Sequence, residues 1–183
     1  AWTSLYAFGI DAGVDTLTSW MRAVSLCAPR IRGGQALLIG ETDPTLAQSL
    51  MLWNSTLLAQ TELREREQTA LPPVFAAACV WGRRDAVKVT LERIGALGGG
   101  DLSAIETTEG MLPSVLGPVP IPQPRTIDSR ELEGTADRVK AVVRVPQSRR
   151  GELALRLRSA SARHVAAREP GELRFQLDPK ERI

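Results

Sequence analysis

The chain has 183 residues, 43% of them hydrophobic and 24% charged, with a formal net charge of +2 at pH 7. That is room for one domain of ordinary size, or for one domain and a piece of another, with the composition of a soluble globular protein. The weak overall charge excludes a histone-like binder, yet residues 1–124 hold 9 basic against 12 acidic side chains while residues 125–183 hold 14 against 9, so an anionic partner belongs to the C-terminal part.

The two cysteines, Cys27 and Cys79, sit in apolar contexts without the spacing of a disulfide framework or a zinc site. No apolar run reaches the roughly 18 residues of a membrane span, and no signal peptide is evident. The expectation is a cytoplasmic protein with no metal and no membrane partner.

The chain begins without Met and in mid-pattern, as a piece of something longer would. Trp2, Leu5, Tyr6 and Phe8 are large apolar residues with no companion element nearby to cover them, which reads either as a frayed end or as a face whose partner lies upstream. A helix is expected from Asp15, with Leu17, Trp20, Met21 and Val24 at i, i+3, i+4 and i+7. Pro29 and the pair Gly33-Gly34 close it. Gln35 to Gly40 is a short apolar run of the kind buried inside a parallel sheet. The glycine pair precedes a strand rather than opening a helix after one, and no GxxxxGK[ST] occurs in the chain, which argues against a phosphate-binding loop.

Asp43-Pro44 then starts one long helix running to Leu71-Pro72-Pro73, with Leu46, Leu50, Trp53 and Leu57 or Leu58 as its apolar stripe. Its charged end, Glu62 to Glu67, reads as a solvated face with i,i+3 and i,i+4 pairs. Residues 74–82, VFAAACVWG, read as a strand. Residues 83–100 read as an amphipathic helix with Val87, Leu91 and Ile94 inward and a glycine stop. Residues 101–111 read as loop, 112–124 as a proline-punctuated edge strand, and 126–137 as a polar, mobile link.

The last stretch is the most regular. Val139, Ala141, Val143 and Val145 alternate with Lys140 and Arg144, the period of a half-buried strand. Pro146 stops it, and Ser148 is the expected cap of a helix on which Leu153, Leu157, Ala160 and Ser161 gather on one face. Arg149, Arg156 and Arg163, spaced by sevens, form a stripe beside that face. Pro170-Gly171 breaks the helix, and Leu173, Phe175 and Leu177 alternate with Arg174 and Gln176 in a final strand. Between Arg138 and Arg168 lie nine Lys/Arg against one acid, Glu152. From Pro73 onward the order is β-α-β-β-α-β, the ferredoxin-like or split βαβ pattern.

These residues carry a resemblance. LREREQTALPP, then Leu116-Gly117-Pro118, then RVKAVVRVPQSRRGELALRLRSA, then a strand closed by Asp178-Pro179 resemble the C-terminal part of the primosomal replication-restart helicase family PriA (primosomal protein N-prime). The proline- and arginine-rich flavour looks like its actinobacterial branch, and GGQALLIGETDP resembles the last strand of the second helicase lobe. The resemblance implies an α/β (α+β) chain in three parts. Residues 1–45 are the tail of a RecA-like helicase lobe, 46–72 a connecting helix, and 73–183 a four-stranded sheet with helices on one face and the other face open. It implies binding to branched or single-stranded DNA, with other primosome or replisome proteins as further partners.

It does not imply catalysis here. The chain has no phosphate-binding loop, no Asp-Glu-x-His box and no cysteine cluster. Where the family carries Gln-Val-Ala-Gly-Arg-Ala-Gly-Arg, residues 22–29 read RAVSLCAP, with Arg30 and Arg32 out of register for charge developing on a transferred phosphate. No catalytic residue, metal ligand or cofactor is expected. The one histidine, His164, lies toward the apolar side of its helix and reads as a core or core-edge imidazole.

If the helices cover Val143 and Phe175, then Lys140, Arg144 and Arg174 point to the open sheet face. With Arg149, Arg156 and Arg163 they make a candidate phosphate track, binding DNA by structure rather than by sequence. The rival reading is a ferredoxin-like protein-interaction domain without DNA binding, supported by four tryptophans and the apolar N-terminus.

Overall fold

The computed structural model describes residues 11–121 and 137–179. The apolar stretch Trp2 to Phe8 and nearly all of the polar link at 126–137 lie outside them. The chain divides into two compact units, residues 1–65 and 66–183.

In the first unit, α1 spans Ala12–Val24, α2 spans Pro44–Met51 and α3 begins at Thr56 and runs to Gln68. Asp43 caps α2: its Oδ1 accepts from the backbone N–H of Thr45 at 2.8 Å and of Leu46 at 3.1 Å, with Pro44 at the first helical position. Leu17, Leu46 and Leu58 form a small core, flanked by Trp20, Met21 and Leu50.

Two expectations fail in this unit. The single helix over 44–70 is broken into α2 and α3 at Trp53, whose φ is +52°. Asn54 restarts the chain, its Oδ1 accepting from the N–H of Thr56 at 3.0 Å, so a side-chain cap overrides the apolar periodicity that crosses it. The apolar run at 35–40 is not a strand. No strand among the described residues pairs with it, and Leu37 and Ile39 are 85% and 82% exposed. Apolar content alone does not make a strand where no ladder receives its N–H and C=O groups.

The second unit is built on β1 (Phe75–Arg83), α4 (Arg84–Arg93), β2 (Ala104–Thr107), β3 (Gly110–Pro113), β4 (Val115–Pro120), β5 (Arg138–Pro146), α5 (Arg150–Ala166) and β6 (Leu173–Leu177). Four strands form one sheet in the order β4-β5-β1-β6, every pair antiparallel. This is the strand order of the split βαβ pattern expected from the sequence.

Alternation sends Ala76, Ala78 and Val80 of β1 and Val139, Ala141, Val143 and Val145 of β5 to the helix side. There they pack with Val87, Leu91 and Ile94 of α4 and Leu153, Leu157 and Ala160 of α5. Each fully covered Val or Leu is worth about 1.5–3 kcal/mol of burial, which makes this cluster the main support of the unit. The alanines of β1 leave room for helix side chains above the sheet.

Helix α4 ends where Gly95 takes φ +78°, with the N–H of Ala96 donating to Leu91 O at 2.9 Å. Entry to α5 differs from expectation: a 3-10 turn at Gln147–Arg149 leads in, and Ser148 makes no capping bond. Among the described residues, no helix is long and apolar enough to cross a membrane.

Residues 101–111, expected as loop, contain most of the β2–β3 hairpin. Its register pairs Ile105 with Leu112, and Thr107 Oγ1 donates to Gly110 O at 2.9 Å across the turn. Ile105 is buried with Ala70 and Phe75 on the sheet face away from the helices. One buried residue in a hairpin of two four-residue strands is too little for a sequence pattern to show.

Arg144 ties this hairpin to the sheet. Its Nη2 donates to Pro113 O at 2.6 Å and its Nη1 donates to Thr69 O, while the residue is only 4% exposed. Burial pulls the guanidinium pKa below its ordinary value. Arg144→Ala removes the donor to two carbonyls and is expected to destabilise the chain by about 2–4 kcal/mol, and Arg144→Lys by less. Urea denaturation of the three proteins measures this, and an unmoved midpoint for Arg144→Ala would show that the clasp holds nothing.

Candidate nucleic-acid interface

The sheet register decides which cations can act together. Opposite the helices, successive rows across β5-β1-β6 read Arg138–Arg83, then Lys140–Trp81–Arg174, then Val142–Cys79–Gln176. Residues paired across strands share a face, so these side chains neighbour one another at about 4.5–5.5 Å between Cβ atoms. Close approach of β6 to β1 at this end requires Gly82, since a Cβ there would lie 1.9 Å from Glu172 O.

The two ends of this face differ. At the Phe75 end the hairpin and residues 70–74 cover it, and Ala77, Cys79 and Val142 are also buried. At the other end Arg83 and Arg174 are exposed, and Lys140 and Trp81 are half-buried. Glu172 is the acid among them. Its carboxylate accepts from Arg138 Nη2 and from Arg174 Nε, each at 2.8 Å. Among the described residues of these rows, four cations therefore share this end of the sheet with the carboxylate of Glu172, while at the strand ends beside them Arg84 pairs with Asp137 at 2.8 Å.

A second cluster lies on the flank of α5. Arg149 donates from Nε to Glu152 Oε2 at 2.7 Å and from Nη2 to Asp101 Oδ2 at 2.6 Å. Arg156 reaches both Asp101 oxygens at 2.7 Å and caps α4 by donating to Ile94 O at 2.8 Å. The bonds from Arg156 and then Arg149 hold the Asp101 carboxyl far below the usual carboxylate range, and Arg149 chiefly lowers Glu152.

A third cluster closes the turn before β6. Arg93 donates to both oxygens of Glu169, and with His164 it brings that carboxyl down to about 2. His164 is buried, with Nδ1 3.1 Å from Glu169 Oε2 and Nε2 2.9 Å from Gly171 O, a core-edge imidazole as the helical phase suggests.

The six sequence-predicted cations are thus not one track. Lys140 and Arg174 flank one another across Trp81 on the sheet. Arg149 and Arg156 lie together on α5 but spend their hydrogen bonds inside the chain. Arg163 is exposed in the last turn of α5. Arg144 is inside the fold rather than on the surface.

The nine-to-one excess within residues 138–168 misleads because its partners come from outside that window. Glu172 takes Arg138, Asp101 takes Arg149 and Arg156, and Asp178 takes Arg150. Among the described residues, Lys140, Arg158, Arg163 and Arg168 of that stretch have no ion pair. Sequence reasoning also passed over Arg83, Arg138 and Trp81. FAAACVWGR is apolar in both phases, so it is the sheet pairing, with Ala78 and Val80 packed under the helices, that sets Trp81 and Arg83 on the other face.

The paired carboxylates give a pH signature. Their folded pKa values lie below the unfolded ones near about 4, so their contribution is complete at neutral pH and is lost as pH falls toward 2. The urea midpoint is expected to drop between pH 5 and about pH 2, and less steeply in Asp101→Asn or Glu169→Gln. Parallel pH profiles for the variants and the parent chain would remove these carboxylates from the account.

Residues 67–180 match the family described as the primosomal protein N C-terminal domain. The chain is similar to the probable replication restart protein PriA of Mycobacterium leprae, 31% identical over 185 residues that cover 97% of this chain and 25% of that protein. It is similar also to the protein of that name from Mycobacterium tuberculosis, 29% identical over 183 residues covering 98% of this chain and 26% of the relative. The chain spans about a quarter of the length of these relatives, and its antiparallel sheet falls within the matched residues. With more than half of its length matched, it belongs to the primosomal protein N C-terminal domain family.

Proposed function

We propose that this chain is the DNA-contacting portion of a primosomal replication-restart protein, holding branched or single-stranded DNA through its phosphates. The observation that carries this reading is the basic end of the sheet face opposite α4 and α5, where among the described residues Arg83, Arg138, Lys140 and Arg174 gather around Glu172. Phosphate contacts from Lys and Arg fix position without reading sequence. Arg163, exposed on α5, is a further candidate contact. In this role the chain supplies grip and not ATP hydrolysis, acts in the cytoplasm, and meets other replisome proteins.

A protein-docking reading has one observation behind it. In the first unit Leu26, Ile31 and Leu37 are 88%, 95% and 85% exposed, more apolar surface than a solitary surface needs. Salt separates the two readings, because phosphate neutralisation releases counterions and apolar docking does not.

Affinity for forked or single-stranded DNA is expected to fall steeply with salt, by a log–log slope of about −0.7 to −0.9 per phosphate contact. Lys140→Gln with Arg174→Gln should flatten that slope by roughly 1.5 units, whereas Arg149→Gln with Arg156→Gln should leave it nearly unchanged. Fluorescence anisotropy at several salt concentrations reads this. Absence of binding by the unmodified chain at about 50 mM salt would leave the docking reading ahead.

A further inference from the structure

We infer that Trp81 is a stacking platform for an unpaired nucleobase, with Lys140 and Arg174 taking the phosphates on either side of it. The inference rests on the DNA reading above and names the form of DNA that this end of the sheet takes. Three observations carry it. Trp81 pairs with Lys140 on β5 and with Arg174 on β6, so an aromatic ring stands between two cations in one row. The row faces away from α4 and α5, whose cluster takes up Ala78 and Val80 from the same strand. Trp81 is also half-buried, unlike its face neighbours Cys79 and Ala77, which are 3% and 1% exposed.

The chemistry of the row suits one ligand class. An accessible aromatic on the helix-free face of a four-stranded antiparallel sheet is how several sheet domains stack unpaired bases. The cations lie two inter-strand spacings apart, about 10 Å, on long side chains able to close on a backbone crossing the strands. In a duplex the faces of the bases are occupied by their neighbours, so a tryptophan cannot use them. A single strand, or the single-stranded arm of a branch, offers them freely. Lys140 adds charge without a competing carboxylate among the described residues. Arg174, 68% exposed, shares Glu172 with Arg138, so its guanidinium is positioned while remaining accessible.

The test uses the full chain, a dT oligonucleotide about 16 nucleotides long, the same length carrying abasic positions, and a duplex. Trp81→Leu, which keeps apolar bulk without a ring face, is expected to weaken single-strand binding roughly 5- to 150-fold, and Trp81→Phe by no more than about threefold. Stacking moves no charge, so the salt slope in Trp81→Leu should match the parent's, and duplex affinity should hold. The unmodified chain should bind the abasic strand about as weakly as Trp81→Leu binds dT, a comparison that needs no variant to fold.

Equal affinity of the unmodified chain for the dT and abasic strands would overturn the inference while leaving phosphate binding intact. So would a Trp81→Leu protein of unchanged circular dichroism that keeps full affinity for dT. Parallel loss of single-strand and duplex binding in that variant counts against it as well. A chain that binds neither DNA form at low salt removes the DNA reading, and this inference with it.

Discussion

The long antiparallel ladder between β1 and β5 governs everything else in the second unit. It runs unbroken from Phe75 opposite Pro146 to Arg83 opposite Arg138. Side chains alternate with a period of two, so a slip of one residue would exchange the faces. Val80, Val143 and their neighbours would lose α4 and α5, while Trp81 and Lys140 would be driven into the core. The ladder is therefore both the main support of the fold and the device that separates an apolar side from a basic one. The hairpin β2–β3 depends on it in turn, since Arg144 reaches Thr69 and Pro113 only because β5 holds it between them.

Arginine serves two purposes in this chain, and geometry sorts them. Where a planar guanidinium finds two acceptors at fixed positions, as Arg149 and Arg156 do around Asp101, it joins segments distant in sequence. The Asp101 bonds fasten the glycine-rich turn after α4 to the flank of α5. These pairs are substantially exposed and screened by salt, so each adds little to stability, and their effect is to choose one loop conformation. Arginines without such acceptors, Arg158, Arg163 and Arg168 among the described residues, keep their field directed outward.

The α/β order of the second unit is readable because alternation and helical phase are both strong there. RVKAVVRVP and LRFQL set their apolar residues mainly in one phase, VFAAACVWG reads as a strand by its Val, Phe and Trp content and its length, and the structure makes a strand of each. What the pattern missed are features set by distant partners. Arg144 resembles any polar residue of a half-buried strand until carbonyls 31 and 75 residues away enclose it. The hairpin has one buried apolar residue, Ile105, and its register depends on the sheet beneath it. In the first unit, Gln35 to Gly40 has a buried strand's composition but no ladder among the described residues. The candidate site was half legible: Lys140 and Arg174 follow from alternation, whereas setting Trp81 between them needs the pairing of three strands.

That pairing also bears on how binding would divide between charge and stacking. Contacts from Lys140, Arg174, Arg83 and Arg138 weaken as salt rises, since their free energy is largely counterion release. Stacking on Trp81 carries no such dependence and is indifferent to which base is presented. On the proposed reading, the cations set the encounter and the ring sets the preference for an unpaired strand, the preference gaining weight as salt removes the rest. The face would then distinguish DNA structures without distinguishing sequences. This follows from the placement of residues whose backbones the β1–β5 and β1–β6 ladders already hold, so no rearrangement of the sheet is needed to present them.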